Sequence, residues 1–552
     1  MKKTNVGKLF LRGILWLAVD FAMFWFILPP LNIRSPKFWE FMLLVVLAGV
    51  VLFAFGAVAQ LLSGSVQIEG NSIDFNKLNA KDNALFQLKP VKFIAVAVAV
   101  FAALALLANV AGSEFFNAKR YHDLIVIEDG DFAKDVAEIS MSQIPVVDRD
   151  TSVALGKRKL GEMSDLVSQF NIADNYTQIN YNGTPVRVSP LVYGDAIKWL
   201  KNSENGIPGY IMVEMATQEA SLVRLEDGIK YSESEYFMRN IHRYLRFQYP
   251  TKIFADVSFE IDDNGTPYWV ASTVQYRIAW WSGYDIGGAV LVNAITGESA
   301  YYDLADIPTW VDQVFDSELV LQQLVYNGKY GEGFLNSMFG QSGVLQPTRG
   351  YNYLAINDDV WLYTGMTSVL ADESNVGFVL ANLRTKETKF YAIPGAEEYS
   401  ASESAEGQVQ HLGYTSTFPL LLNIANRPTY FMSLKDEAGL VKMYAFVDVA
   451  QYQIVGTGNT VNAAKSDYIV KLAGENIETP GTTSELEGVV EKIASAVVNG
   501  NTMYYLKLKN DDQIYVVSVQ LSDILPFVKA GDAVLLQLNT TDSVEVVGFT
   551  LK

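Results

Sequence analysis

Three histidines occur in the 552 residues, His122, His242 and His411, and they lie far apart along the chain. A histidine triad or a His-rich metal site would need such groups in one place, so neither is expected. No Gly-x-Ser-x-Gly is present to expose a serine nucleophile on a strand-to-helix elbow. Cysteine is absent, which removes disulfides, thiolate ligands and thiol nucleophiles together. Carboxylates are plentiful, but neighbours such as Asp358-Asp359 and Glu397-Glu398 point in different directions and do not by themselves form an acid–base pair. Asp262-Asp263-Asn264-Gly265 lacks the spacing and terminal glutamate of a calcium loop and reads as a hairpin turn. Gly328 to Gly343 is glycine-rich and holds Lys329, yet without a Walker pattern it reads as a long loop. His242 and Arg243 read as the solvated face of a helix. No catalytic, cofactor-binding or metal-ligating set is therefore expected.

Two other groups of residues could carry function. Asp20 and Asn109 stand inside apolar runs, where a carboxylate is costly and either pairs with a neighbour or serves an ion or proton path. Asn109 and Gln60 are the expected partners of Asp20. Trp280, Trp281, Trp310 and Trp361 fall in one region with Tyr301-Tyr302. Aromatic rings bury large areas, so the four tryptophans serve a core or a recognition face for peptide or glycan.

The elements that would position these residues begin with apolar runs. Residues 13–28, 41–62 and 93–111 each approach the roughly 20 apolar residues that a bilayer requires, which predicts three transmembrane helices in a membrane domain over 1–112. Lys2, Lys3, Lys8 and Arg12 precede the first run, and Lys77, Lys81, Lys89 and Lys92 follow the second. The positive-inside rule then puts the N-terminus in the cytoplasm and residues 113–552 outside it. There are ten basic against five acidic residues through Gly112, and 32 against 56 beyond it. An exported part that acidic repels phosphate backbones, which excludes nucleic acid as its partner.

Beyond the membrane domain, 113–232 reads as an α+β unit with a hairpin at Asn182-Gly183, a type I′ turn signal. From Glu233 a phrase repeats. GAVLVNAITGESAYY at Gly288 matches GFVLANLRTKETKFY at Gly377, 89 residues on, with seven of fifteen positions identical and Lys386 in place of Gly297. A weaker third copy begins at Met443, and each copy has an aromatic strand upstream. Repetition of this kind marks one supersecondary unit used several times. The unit resembles the PepSY and cystatin-like families, in which a helix packs on a curved antiparallel sheet, often in tandem on exported bacterial proteins. The chain as a whole resembles uncharacterised multi-pass membrane proteins of Gram-positive bacteria. These resemblances imply repeats over 233–345 and 346–478. The repeat strands alternate well and hold few prolines, so at least one edge, at Ala289 to Asn293 or Phe378 to Asn382, is expected to be open to a partner's strand. Residues 479–485 read as a linker. Five short strands over 486–552 look like a small OB-type barrel.

The fold class expected is thus α+β: three transmembrane helices, tandem helix-on-sheet units and a terminal barrel. The function expected is a membrane-anchored extracytoplasmic binding, scaffold or regulatory protein of a bacterial envelope, with the lipid bilayer and an envelope protein or peptide as partners and no cofactor. The alternatives are an envelope hydrolase using an acid pair and a transport component in which Asp20 works.

Overall fold

The computed structural model describes residues 6–65, 89–138, 144–369, 374–474, 483–498, 501–511, 513–522, 524–539 and 546–552. The proposed turn at Asn499-Gly500, residues 479–482 of the linker and most of the basic loop after the second apolar run lie outside them.

The apolar N-terminal text forms helices at Val6–Ile27, Pro36–Ser65 and Lys89–Gly112. The first ends where Leu28 turns left-handed ahead of Pro29-Pro30, which cannot continue a helix. Among the described residues one segment, Phe10–Ile27, is long and apolar enough to cross a membrane, and it would equally serve as a signal sequence. A second passes only if Val98–Gly112 and Glu114–His122, bent by 48°, count as one. The three-span expectation is therefore corrected to one. The run at 41–62 extends into side chains outside those described, and the run at 93–111 breaks at Ser113 into the charged helix Glu114–His122, so apolar composition alone overcounted.

Beyond this point the chain is mostly antiparallel sheet. Four sheets each contain a meander of four strands with neighbours paired in chain order. The first runs Thr177–Tyr181, Thr184–Tyr193, Ile207–Glu214 and Ala220–Ile229. The second runs Phe254–Ile261, Pro267–Ile278, Ser282–Asn293 and Ser299–Asp303. The third runs Asn352–Ile356, Asp359–Ser368, Ser374–Asn382 and Thr388–Tyr391. The fourth runs Leu420–Ile424, Arg427–Lys435, Val441–Asp448 and Val455–Gly458.

Turn chemistry explains why the unit recurs. Asn293 and Asn382 end third strands, and each amide N–H donates to the carbonyl of a glutamate five residues on, Glu298 or Glu387, at 2.9 and 2.8 Å. Thr296 and Thr385 accept from those glutamates' N–H groups, and Gly297 and Lys386 both occupy the left-handed region, at φ +77° and +65°. The same turn occurs in the first sheet, where Glu214 bonds Glu219, Thr217 accepts from Glu219, and Gln218 has φ +65°. That copy is hidden in the sequence because Glu214 and Gln218 replace the recognisable asparagine and glycine. First hairpins are related too: Asn182-Gly183, Asn357-Asp358 and Ala425-Asn426 each place two consecutive residues at positive φ, as a type I′ turn requires.

Each middle sheet is buried on both faces. Phe259, Trp269, Ala271 and Val292 of the second sheet share a core with the first, where Tyr210 and Phe259 meet edge to face with centroids 5.8 Å apart. The opposite face, Val270, Ala289 and Leu291, packs with Val360, Leu362 and Val379 of the third sheet and with Val320 and Leu324 of the helix Ser317–Tyr330. The other face of the third sheet meets the fourth, where Phe378 packs against Tyr430. The fourth returns to the first: Gln218 donates to the Tyr444 hydroxyl at 3.0 Å, and Val146 donates to the Met215 carbonyl while accepting from Ser433. The sheets therefore ring a centre in the manner of propeller blades.

This arrangement replaces the tandem helix-on-sheet units, because a sheet with two apolar faces packs on other sheets instead of being covered by one helix. It also removes the expected open edges. Ala289–Asn293 and Phe378–Asn382 belong to third strands whose fourth strands cover them. The C-terminal block has a core of its own and five strands. The 16-residue strand Thr483–Val498 pairs Ala533–Asn539 through its first half and Asn501–Leu508 through its second. Among the described residues the path stays open at its ends, so the OB-like closed barrel is not formed there.

Candidate functional site: the central cavity

First strands line the centre of the ring. A cavity of about 660 Å³ opens there between Thr177–Tyr181, Phe254–Ile261 and Asn352–Ile356. Its inner wall carries Tyr176, Thr177, Gln178 and Arg187, all less than one-tenth exposed. Its mouth carries the exposed Arg149, Glu233, His242, Asp256 and Tyr351. Asp316 and Tyr353 lie between, half-buried.

Arg187 arrives there by strand alternation. Val186 and Val188 face the apolar core, and Arg187 between them faces the cavity from the opposite side of the strand. It is 7 % exposed, and Nη2 donates to Gln178 Oε1 at 2.9 Å. Its Nε has no partner, and no carboxylate among the described residues lies within ion-pair distance. Burial holds this guanidinium below its usual pKa range. Tyr176 Oη, Thr177 Oγ1 and Gln178 Nε2 are likewise buried without partners. Such concentrations are rare, because a buried polar group without a hydrogen bond costs free energy.

Behind this wall lie two carboxylates that the sequence reading did not single out. Glu260 accepts from the Asp312 and Gln313 N–H groups and the Ser258 hydroxyl, at 2.8, 3.2 and 2.9 Å. Asp312 accepts from the N–H groups of Asn180 and Val360 at 2.7 and 3.1 Å, tying the first sheet to the third. Burial pushes Glu260 up to about 7, and burial, then the Glu260 charge, raises Asp312 well above the carboxylate range. Both are buried and committed to backbone N–H groups, so they fasten sheets together and do not form an acid pair that a substrate could reach. Among the described residues no group of three potential metal ligands comes together.

The structure disperses the sequence-chosen residues. Trp361 is a core residue, and Trp310 packs on Tyr268 with centroids 4.9 Å apart. Trp280 and Trp281 occupy the tight turn between Ile278 and Ser282 and reach the N-terminal helices: Trp280 donates to Ile33 O at 2.7 Å and Trp281 to Asn109 Oδ1 at 3.3 Å. They are not one recognition face. Asn109 is thereby engaged with Trp281 and with Ala105 O, not with Asp20, whose Oδ1 has no hydrogen-bond partner. The Gln60 side chain lies outside the described residues. His242 stands on the cavity rim, 3.3 Å from Glu233, while Arg243 stacks over Trp25 at 4.5 Å. The same short helix, Ile241–Gln248, also receives the end of the first helix, because Arg246 donates to Leu28 O and Phe247 packs on Phe24 and Trp25.

No family model matches this chain, and no curated protein does. Among solved structures it is similar to a member of the DUF4221 family from Bacteroides vulgatus, at 11% identity over 70% of this chain and 82% of that one, with a TM-score of 0.15. It is also similar to a levansucrase variant from B. megaterium, at 10% identity over 77% and 97%, with a TM-score of 0.19. Likeness at that level assigns neither fold nor function.

Proposed function

We propose that this chain is a membrane-tethered, extracytoplasmic binding protein that takes a small polar ligand into the centre of its ring of sheets. The observation that carries this reading is a cavity of ligand size whose wall holds Arg187, a buried guanidinium with no carboxylate partner among the described residues, beside Gln178. The apolar segment Phe10–Ile27 supports the tether. Its C-terminal end meets the second sheet's entry, where Leu31 donates to Pro250 O at 2.7 Å and Asn32 Nδ2 to Thr251 O at 2.9 Å. Basic residues before that segment favour an N-terminus inside the cytoplasm, which leaves the sheets outside. Binding, not turnover, fits a site without a nucleophile–base pair.

Two measurements test this. Cell fractionation with alkaline washing should leave the chain in membranes, and protease added to intact spheroplasts should digest the sheets. Recovery of the intact chain in the cytosol would overturn the tether. The cavity is tested with Ser258→Trp, which fills it from a half-buried position. That variant should lose whatever small solute the wild-type chain binds, and undiminished binding would move the site elsewhere.

A further inference from the structure

We infer that the cavity recognises a carboxylate-bearing solute that also carries an ammonium or hydroxyl donor, with its carboxylate on Arg187 and its donor toward Asp256 and Asp316. This rests on the cavity being the binding site proposed above. Arg187 uses one of its five N–H donors within the protein, on Gln178, and its Nε is unpartnered though the side chain is 93 % hidden from solvent. A planar guanidinium presents parallel N–H pairs that match the two oxygens of a carboxylate. Gln178, whose Oε1 accepts from Nη2, holds the guanidinium at the cavity wall.

The acidic groups of the cavity decide what else the ligand carries. Asp316 lines it, Asp256 and Glu233 stand at its mouth, and among the lining residues only Arg149 adds a second fixed positive charge. Arg149 is exposed and donates to Asp174 O at 2.6 Å. One buried cation in a lining that also holds two carboxylates disfavours a phosphate dianion and suits a single negative charge with a donor elsewhere on the molecule. Tyr351 and Tyr353, edge to face with centroids 5.5 Å apart, add apolar ring surface to the same lining.

The test is calorimetric titration of the full chain in detergent with alanine, alanyl-alanine and lactate, using glucose and inorganic phosphate as comparators. At least one carboxylate probe should bind about tenfold or more tightly than either comparator. Arg187→Met should remove that binding, and Arg187→Lys should weaken it while circular dichroism stays unchanged. Asp256 is exposed and its amide variant is structurally mild, so Asp256→Asn tests the other end: alanine should weaken by about threefold or more relative to lactate. Absence of binding by every carboxylate probe would overturn the inference, as would phosphate binding as tightly as alanine or full binding in Arg187→Lys. If glucose binds and Ser258→Trp removes it, the cavity remains the site and the carboxylate assignment alone falls. If nothing binds, both fall.

Discussion

Arg187 and Lys386 are both cations drawn into the protein, and they are handled in opposite ways. Lys386 stands in the third sheet's hairpin turn, and all three of its ammonium donors are used: on Asp285 Oδ1 at 2.7 Å, Leu124 O at 2.9 Å and Gln323 Oε1 at 3.2 Å. These partners come from the second sheet, from the segment leading into the ring and from the helix Ser317–Tyr330, so one charge joins three elements. Arg187 joins nothing beyond its neighbouring strand. The difference separates a charge kept for holding sheets together from one kept open to the cavity. It also explains why a lysine tolerates the left-handed position that glycine fills at 297: the backbone cost is set against three bonds.

The largest effect expected from breaking this contrast is at Asp285, which is 5 % exposed and also receives Arg277 at 3.2 Å. Asp285→Ala leaves the Lys386 charge without a counter-ion and should cost about 3–5 kcal/mol in urea unfolding. A nearly unchanged midpoint would show that the ion pair is dispensable.

A buried carboxylate without a cation gives the next effect. Glu260 has a folded pKa of about 7, above the ordinary 4.5, so the folded state binds more protons than the unfolded one between those values. Its contribution to stability is complete below pH 4.5 and is lost as pH rises through 7, by roughly 3 kcal/mol at most. Unfolding midpoints measured from pH 4.5 to 8 should fall in the wild type and flatten in Glu260→Gln. An equally steep fall in that variant would assign the proton to another group, with Asp312 first in line.

Lys386→Gly should come third. It relieves the left-handed backbone but leaves Asp285 with only Arg277 and the Gln323 amide, for a net loss of about 1–3 kcal/mol. A gain in stability would mean that the turn, not the ion pair, dominates at this position. Arg187→Met should have the smallest effect without ligand, within about 1 kcal/mol of wild type in either direction, because a cation lacking a carboxylate partner is removed in favour of an apolar chain of similar length. A loss as large as that of Asp285→Ala would make Arg187 a structural residue.

Much of the sheet content was legible because hairpins write themselves locally. Asn182-Gly183 and the Thr-Gly-Glu phrase specify backbone angles within five residues, and the structure forms those turns at the expected places. The first sheet's copy was hidden because Gln218 adopts the same left-handed angle without glycine. The cavity was not legible at all. Arg187 sits in Val-Arg-Val, the pattern of a strand with one solvated face, and only the neighbouring sheets bury that face. The tryptophans misled for the converse reason: Trp280 and Trp281 look like recognition residues, but their partners, Ile33 and Asn109, come from text more than 170 residues upstream. The apolar runs were legible as helices but not as spans, since hydropathy counts residues and cannot see the bend at Ser113.

The two-faced burial of the middle sheets also bears on how the chain can be cut. A repeat copied four times invites dissection into modules, yet the second sheet would expose Trp269 and Phe259 on one side and Val270 and Leu291 on the other if it were excised. No single copy is an independent unit. Limited proteolysis should therefore release the C-terminal block, which has its own core, and leave the ring from Ile144 to Gly474 resistant as a whole, without a ladder of one-, two- and three-sheet fragments.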